Sequence, residues 1–173
     1  MLTVNQDFAA KKASRASLVS ALVATHPHLT AGAGCVIAAK NIRVELKRAF
    51  PSVKFSVKSD KFAGGDAVRV SWTDGPTGDQ VDEIANKYRA GSFDGMTDCY
   101  NYAENLWADA FADAKYISTS RDFSDELILS VLANFTGTID GEPFPTLEDY
   151  RNGRHWMAGY QMVRRAMLDT VKI

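Results

Sequence analysis

Hydrophobic and polar positions alternate with two different periods along this chain. From residues 7 to 25 the apolar residues Phe8, Leu18, Leu22 and Val23 form a thin helical stripe, with Lys11, Lys12 and Arg15 on the polar side. "THPHLTAGAG" ends that pattern, because Pro27 disfavours helix at His26 and Gly32 and Gly34 loosen the backbone. A second helix is predicted from Cys35 to Phe50, with Ile42, Leu46, Ala49 and Phe50 on one face, and Pro51 stops it. The period then falls to two. Val53, Phe55 and Val57 alternate with Lys54, Ser56 and Lys58, and Val68, Val70 and Trp72 alternate with Arg69 and Ser71. Joined by "SDKFAGGD", the two runs predict an antiparallel hairpin. "TDGPT" is a turn, and Thr77 to Gln80 reads as a capping box opening a helix that carries Val81, Ile84, Ala85 and Tyr88 and closes at Gly91.

Beyond Gly91 the periods are shorter. "SFDGMTDCYNY" fits a loop or a short strand carrying Tyr100 and Tyr102, and "AENLWADAFADA" has helical composition. "KYISTS" predicts a strand with Tyr116 and Ser118 on one face, and Ser124 caps a helix holding Leu127, Ile128, Val131, Leu132 and Phe135. Thr146, with Asp149 as box partner, opens a last helix over roughly 147–170 that bends at Gly153 or Gly159. These elements predict an α+β fold: a small antiparallel sheet of three to four strands with helices packed mainly on one face, in a single domain spanning 1–173.

Composition adds a few exclusions. An apolar share of 46% with 24% charged residues is ordinary for a globular protein. Cys35 and Cys99 are too few for a disulfide scaffold and fit free thiols in a reducing, cytoplasmic setting. No apolar run reaches the length of a membrane span, and the charges of the first thirty residues lie too far inside for a secretory signal.

Charge changes the picture more. Net charge is −1, yet residues 1–73 carry eleven Lys and Arg against four acids, residues 74–150 four against sixteen, and residues 151–173 five against one. Pairing of oppositely charged segments within one fold accounts for such a pattern, and so do a basic and an acidic face that each meet a partner. If the apolar sides of the two strands face the core, Lys54, Lys58 and Arg69 share the open sheet face. Lys61 lies in the joining loop, and Lys40, Arg43 and Lys47 add cations from the second helix, together a candidate phosphate-binding surface. Exposed aromatic residues are expected to be scarce beside this stripe, which points away from base stacking. Asp94, Asp98, Asp109 and Asp113 mark the acidic middle as a candidate protein-binding surface, including one that imitates nucleic acid.

Catalytic patterns are sparse. "AGAGC" lacks the preceding strand and the third glycine of a dinucleotide fingerprint. His26, His28 and Cys35 match no standard zinc spacing, and Asp94 and Asp98 alone make a poor cation site, so neither metal nor cofactor is expected. Ser120, Arg121 and Asp122 stand at a strand end, a common place for reactive groups, but capping by Asp122 or Ser124 and pairing of Arg121 explain the same residues. His155 has no evident partner, and no residue is assigned a catalytic role.

The stretches "KNIRVELKRAFP", "KFSV", "GGDAVRVSWTDGPT", "YRAGSFDGMTD" and "AKYISTSRDFS" carry a resemblance. Over roughly residues 38–125 the chain resembles the large polyvalent protein-associated domain of type twenty-nine, found in phage and plasmid proteins. The resemblance implies an α+β domain of a mobile genetic element, without supplying catalytic residues. The expected function is therefore that of a non-enzymatic accessory or counter-defence protein that binds a host protein. A nucleic-acid-binding module using the basic sheet face is the second reading, and an enzyme near Arg121 the third.

Overall fold

The computed structural model describes residues 4–171, with side chains from residue 10 onward; the expected place of the Phe8 side chain in the first stripe lies outside what is described. Helix α1 (Val4–Thr25) and helix α2 (Cys35–Ala49) lie near their expected positions. Strands β1 (Ser56–Phe62) and β2 (Gly65–Thr73) form the expected antiparallel hairpin, with Val57 opposite Val70 and Lys58 opposite Arg69. Val68, Val70 and Trp72 are buried while Arg69 and Ser71 are exposed, so the alternation holds its register. The ladder begins at Ser56, later than the alternation. Asp74 and Gly75 turn the partner strand away at φ 57° and 62°, leaving Val53 and Phe55 half-buried in the lead-in. A Cβ at Gly75 would sit 2.9 Å from Val53 Cγ2, which is why this turn takes glycine.

The expected sheet of three strands is present, but it is mixed rather than antiparallel. Strand β5 (Tyr116–Asp122) pairs parallel with β2, giving the order β1–β2–β5. Parallel pairing needs a crossover, and no local signal marks it. The crossover carries α3 (Gly78–Ala85), the β3 (Gly91–Asp94) and β4 (Cys99–Tyr102) hairpin, and α4 (Leu106–Phe111). The box at the start of α3 is complete: Thr77 Oγ1 accepts from Gln80 N, and the Gln80 side chain accepts from Thr77 N. Helix α3 stops at Ala85 and passes into a 3-10 turn, Asn86–Tyr88. Gly91 opens β3 instead of closing the helix; a Cβ there would meet Asn101 O at 2.0 Å.

The main core gathers Ile42 and Leu46 of α2, Val57, Val68, Val70 and Trp72 of the hairpin, Val81 of α3, Phe111 of α4 and Ile117 of β5. Helices thus cover one face of the sheet, and Ser56, Lys58, Arg69, Ser71, Ser118 and Ser120 stay exposed on the other. A second cluster forms after β5, from Phe123, then Leu127, Ile128 and Val131 of α5 (Asp125–Leu132), and Val163 and Met167 of α7 (Tyr160–Asp169). Short strands β6 (Thr138–Ile139) and β7 (Glu142–Pro143) and helix α6 (Leu147–Arg151) complete this part. The expected last helix is interrupted rather than bent, because Gly153 and Gly159 adopt φ 63° and 79°, and Trp156 sits exposed in the gap. Among the described residues, no helix is long and apolar enough to cross a membrane.

Candidate nucleic-acid interface

The open sheet face is a grid set by strand register. Ser56, Ser71 and Ser120 align across the three strands, and Lys58, Arg69 and Ser118 form the next row. Lys58 and Arg69 are therefore direct cross-strand neighbours, a like-charge arrangement that is unfavourable by itself. Asp60 relieves part of it by pairing with Arg69 at 3.2 Å. Lys54 stands at the rim of an open groove of about 800 Å³, together with the serine row, Thr73, Asp74 and Asp122. Of the six candidate cations, the structure brings Lys54, Lys58 and Arg69 together on this face. Lys40 and Lys47 are exposed on α2, in the helical layer behind the sheet. Arg43 donates to Val57 O at 2.6 Å and so fastens α2 to β1.

Aromatic residues are not scarce beside this stripe, contrary to expectation. Phe62 stacks on Tyr116 with centroids 6.1 Å apart, Tyr116 meets Tyr100 at 5.7 Å, and Tyr100 meets Tyr102 at 4.8 Å. Tyr102 is 73% exposed, Phe62 46% and Tyr116 37%. Tyr116 belongs to the open face, one row beyond Arg69 and Ser118, opposite Ala67. Lys115 Nζ lies 5.1 Å from the Tyr100 ring and 5.4 Å from the Tyr116 ring. The period-two reading of "KYISTS" could have placed Tyr116 here, but its meeting with Phe62 and Tyr100 depends on the parallel pairing.

The acidic candidates do not converge. Asp94 accepts from Met96 N and Thr97 Oγ1, both at 2.9 Å, which holds its carboxyl below the usual range. Asp98 occupies the same turn at φ 53°. Asp109 accepts from Arg15 Nε at 2.6 Å, joining α4 to α1. Asp113 is half-buried elsewhere, its carboxyl pushed up by burial and by nearby Asp66.

Nor does the strand-end trio converge. Arg121 donates to Asp74 O, Gly75 O, Met167 O, Leu168 O and Thr170 O at 2.6–3.3 Å, so carbonyls take its hydrogen bonds, while the nearby acid is Asp74, whose charge favours the guanidinium against its burial. Asp122 accepts from Phe123 N, and Ser124 caps α5. His26 packs edge-on against Trp107 at 4.9 Å, and Cys35 is buried, its thiol pushed up by that burial. Sequence reasoning missed one polar knot. Glu45 accepts from Lys87 Nζ and from Tyr88 OH, and burial, followed by this carboxylate, pushes the Tyr88 hydroxyl far up.

Residues 34–124, more than half of the chain, match the model of a family described as large polyvalent protein associated domain 29. The match starts at the residue before α2 and ends at the N-cap of α5, leaving outside α1 and all of the second cluster but Phe123. No curated protein and no solved structure matches the chain.

Proposed function

Because the chain belongs to the large polyvalent protein associated domain 29 family, whose members are associated with phages and other mobile elements, we propose that it serves such an element as a nucleic-acid-binding accessory protein. The observation that carries this reading is the Lys58–Arg69 pair on the uncovered sheet face, with Lys54 at the rim of the groove. Phosphates neutralise such a pair, and the serine hydroxyls beside it are suited to phosphate oxygens. Measuring affinity for a DNA oligonucleotide across a salt series tests it. Binding should weaken steeply as salt rises, and Ala at Lys54, Lys58 and Arg69 should flatten the slope by about two to three, one per lost phosphate contact. Unchanged affinity in that variant overturns the reading.

Capture of a host protein, including a counter-defence role, is the second reading. The tip of the β3–β4 hairpin favours it, because Phe93 is 53% exposed and Met96 97%, beside Asp94 and Asp98. Its test is the biological effect of the element in its host. Phe93→Ser with Met96→Ser should abolish that effect while the sheet-face variant retains it; the reverse result rejects capture through this tip.

A further inference from the structure

We infer that the ligand of this face is single-stranded DNA, whose bases stack on the ladder Phe62–Tyr116–Tyr100–Tyr102; the inference rests on the nucleic-acid reading and names its substrate. Base faces are free to stack only where a strand is unpaired, and a duplex hides them. The ladder supplies ring surface at the turn end of the sheet, next to the cation row of Lys58 and Arg69. Its two ends, Phe62 and Tyr102, wall a pocket of about 410 Å³ that also holds Lys61, Lys115, Asp66 and Asp113.

That mixture of charges selects the occupant. A nucleotide offers a phosphate to Lys61 and Lys115, a ring face to Phe62 or Tyr102, and N–H donors to the two carboxylates. An acidic peptide would satisfy the lysines but set its carboxylates against Asp66 and Asp113. Asp66 is partly engaged, since its Oδ1 accepts from Lys115 N at 2.8 Å, and the Lys115 ammonium is steadied by Gly64 O at 2.9 Å. Gly65 keeps the way open for this lysine, because a Cβ there would meet Lys115 Cδ at 2.6 Å. DNA is taken as the strand because the family is one of phages and other mobile elements, and the oligouridine competitor tests that choice.

The test uses the full chain and a labelled oligonucleotide of twenty thymidines at low salt, read by fluorescence anisotropy. Duplex DNA and oligouridine of the same length serve as competitors. Oligothymidine should bind, and the duplex should compete at least about tenfold more weakly. Phe62→Ala and Tyr102→Ala should each weaken binding by about fivefold to a hundredfold with the salt slope unchanged, because stacking rather than charge is lost. Both rings are exposed, and far-ultraviolet circular dichroism confirms that each variant folds. Phe62→Trp gives an independent readout, an emission quenched when oligothymidine binds. If the duplex competes equally and both Ala variants bind like the parent chain, the ladder inference falls while the sheet-face reading stands. If no nucleic acid binds at low salt, both fall. Tighter binding of oligouridine overturns the assignment to DNA.

Discussion

Arg121 shows how much one side chain organises. Its guanidinium lies 5.0 Å from the Phe123 ring and bonds five carbonyls, two of them in the turn after β2 and three at the end of α7. A cation there also meets the negative end of the helix dipole. Arg121→Ala should cost about 2–4 kcal/mol in chemical denaturation, because it leaves several carbonyls without partners. Arg121→Lys should recover little of it, since an ammonium lacks the planar fork. Asp149 carries a pH effect. Thr146 N and Oγ1, then Arg154, hold its carboxyl below the usual range. Its stabilising contribution is therefore complete above the unfolded value of about 3.9 and is lost as pH falls through the lower folded value. Asp149→Asn should flatten the acid limb of thermal stability measured against pH; an unaltered limb would assign the loss to other carboxylates.

At the level of elements, local chemistry was the readable part of the sequence. The Thr77–Gln80 box, the Ser124 cap and the Thr146–Asp149 box all form as expected, because each involves residues three apart. Thr77→Ala should lower stability by about 1 kcal/mol, seen as a shift of the denaturation midpoint. Hairpin register was legible too, since one buried face fixes it. Pairing across the crossover was not. The alternation of "KYISTS" marks a strand without naming its neighbour, so neither the parallel pairing nor the meeting of Phe62, Tyr116 and Tyr100 could be read. The cation row was half-legible: alternation placed Lys58 and Arg69 on one face, and the observed register made them adjacent. That adjacency has a measurable cost. Lys58→Thr should raise the melting temperature slightly, by relief of like charges opposite a β-branched replacement, while weakening DNA binding.

Across the whole molecule, the charge segregation seen along the sequence is partly folded back on itself. Arg15 meets Glu104 and Asp109, and Arg151 meets Asp122 and Asp125, each joining a basic stretch to the acidic one. Two clusters of buried residues divide the apolar packing, and the smaller one, around Ile128, Val163 and Met167, has fewer fully buried side chains. Native-state hydrogen exchange should show the amides of α5 and α7 opening at lower free energy than those of α2 and β2, and Arg121→Ala should widen the gap. Equal protection in both sets would mean that the clusters unfold as one unit. The manner of their attachment also bears on inheritance. The arginine that fastens the end of α7 contacts carbonyl oxygens, which every amino acid carries. That contact therefore places no demand on the side chains at the end of the appended helix, and a recombination joint just after residue 124 would ask of a new appendage a helix end at the same spot and an apolar partner for Phe123.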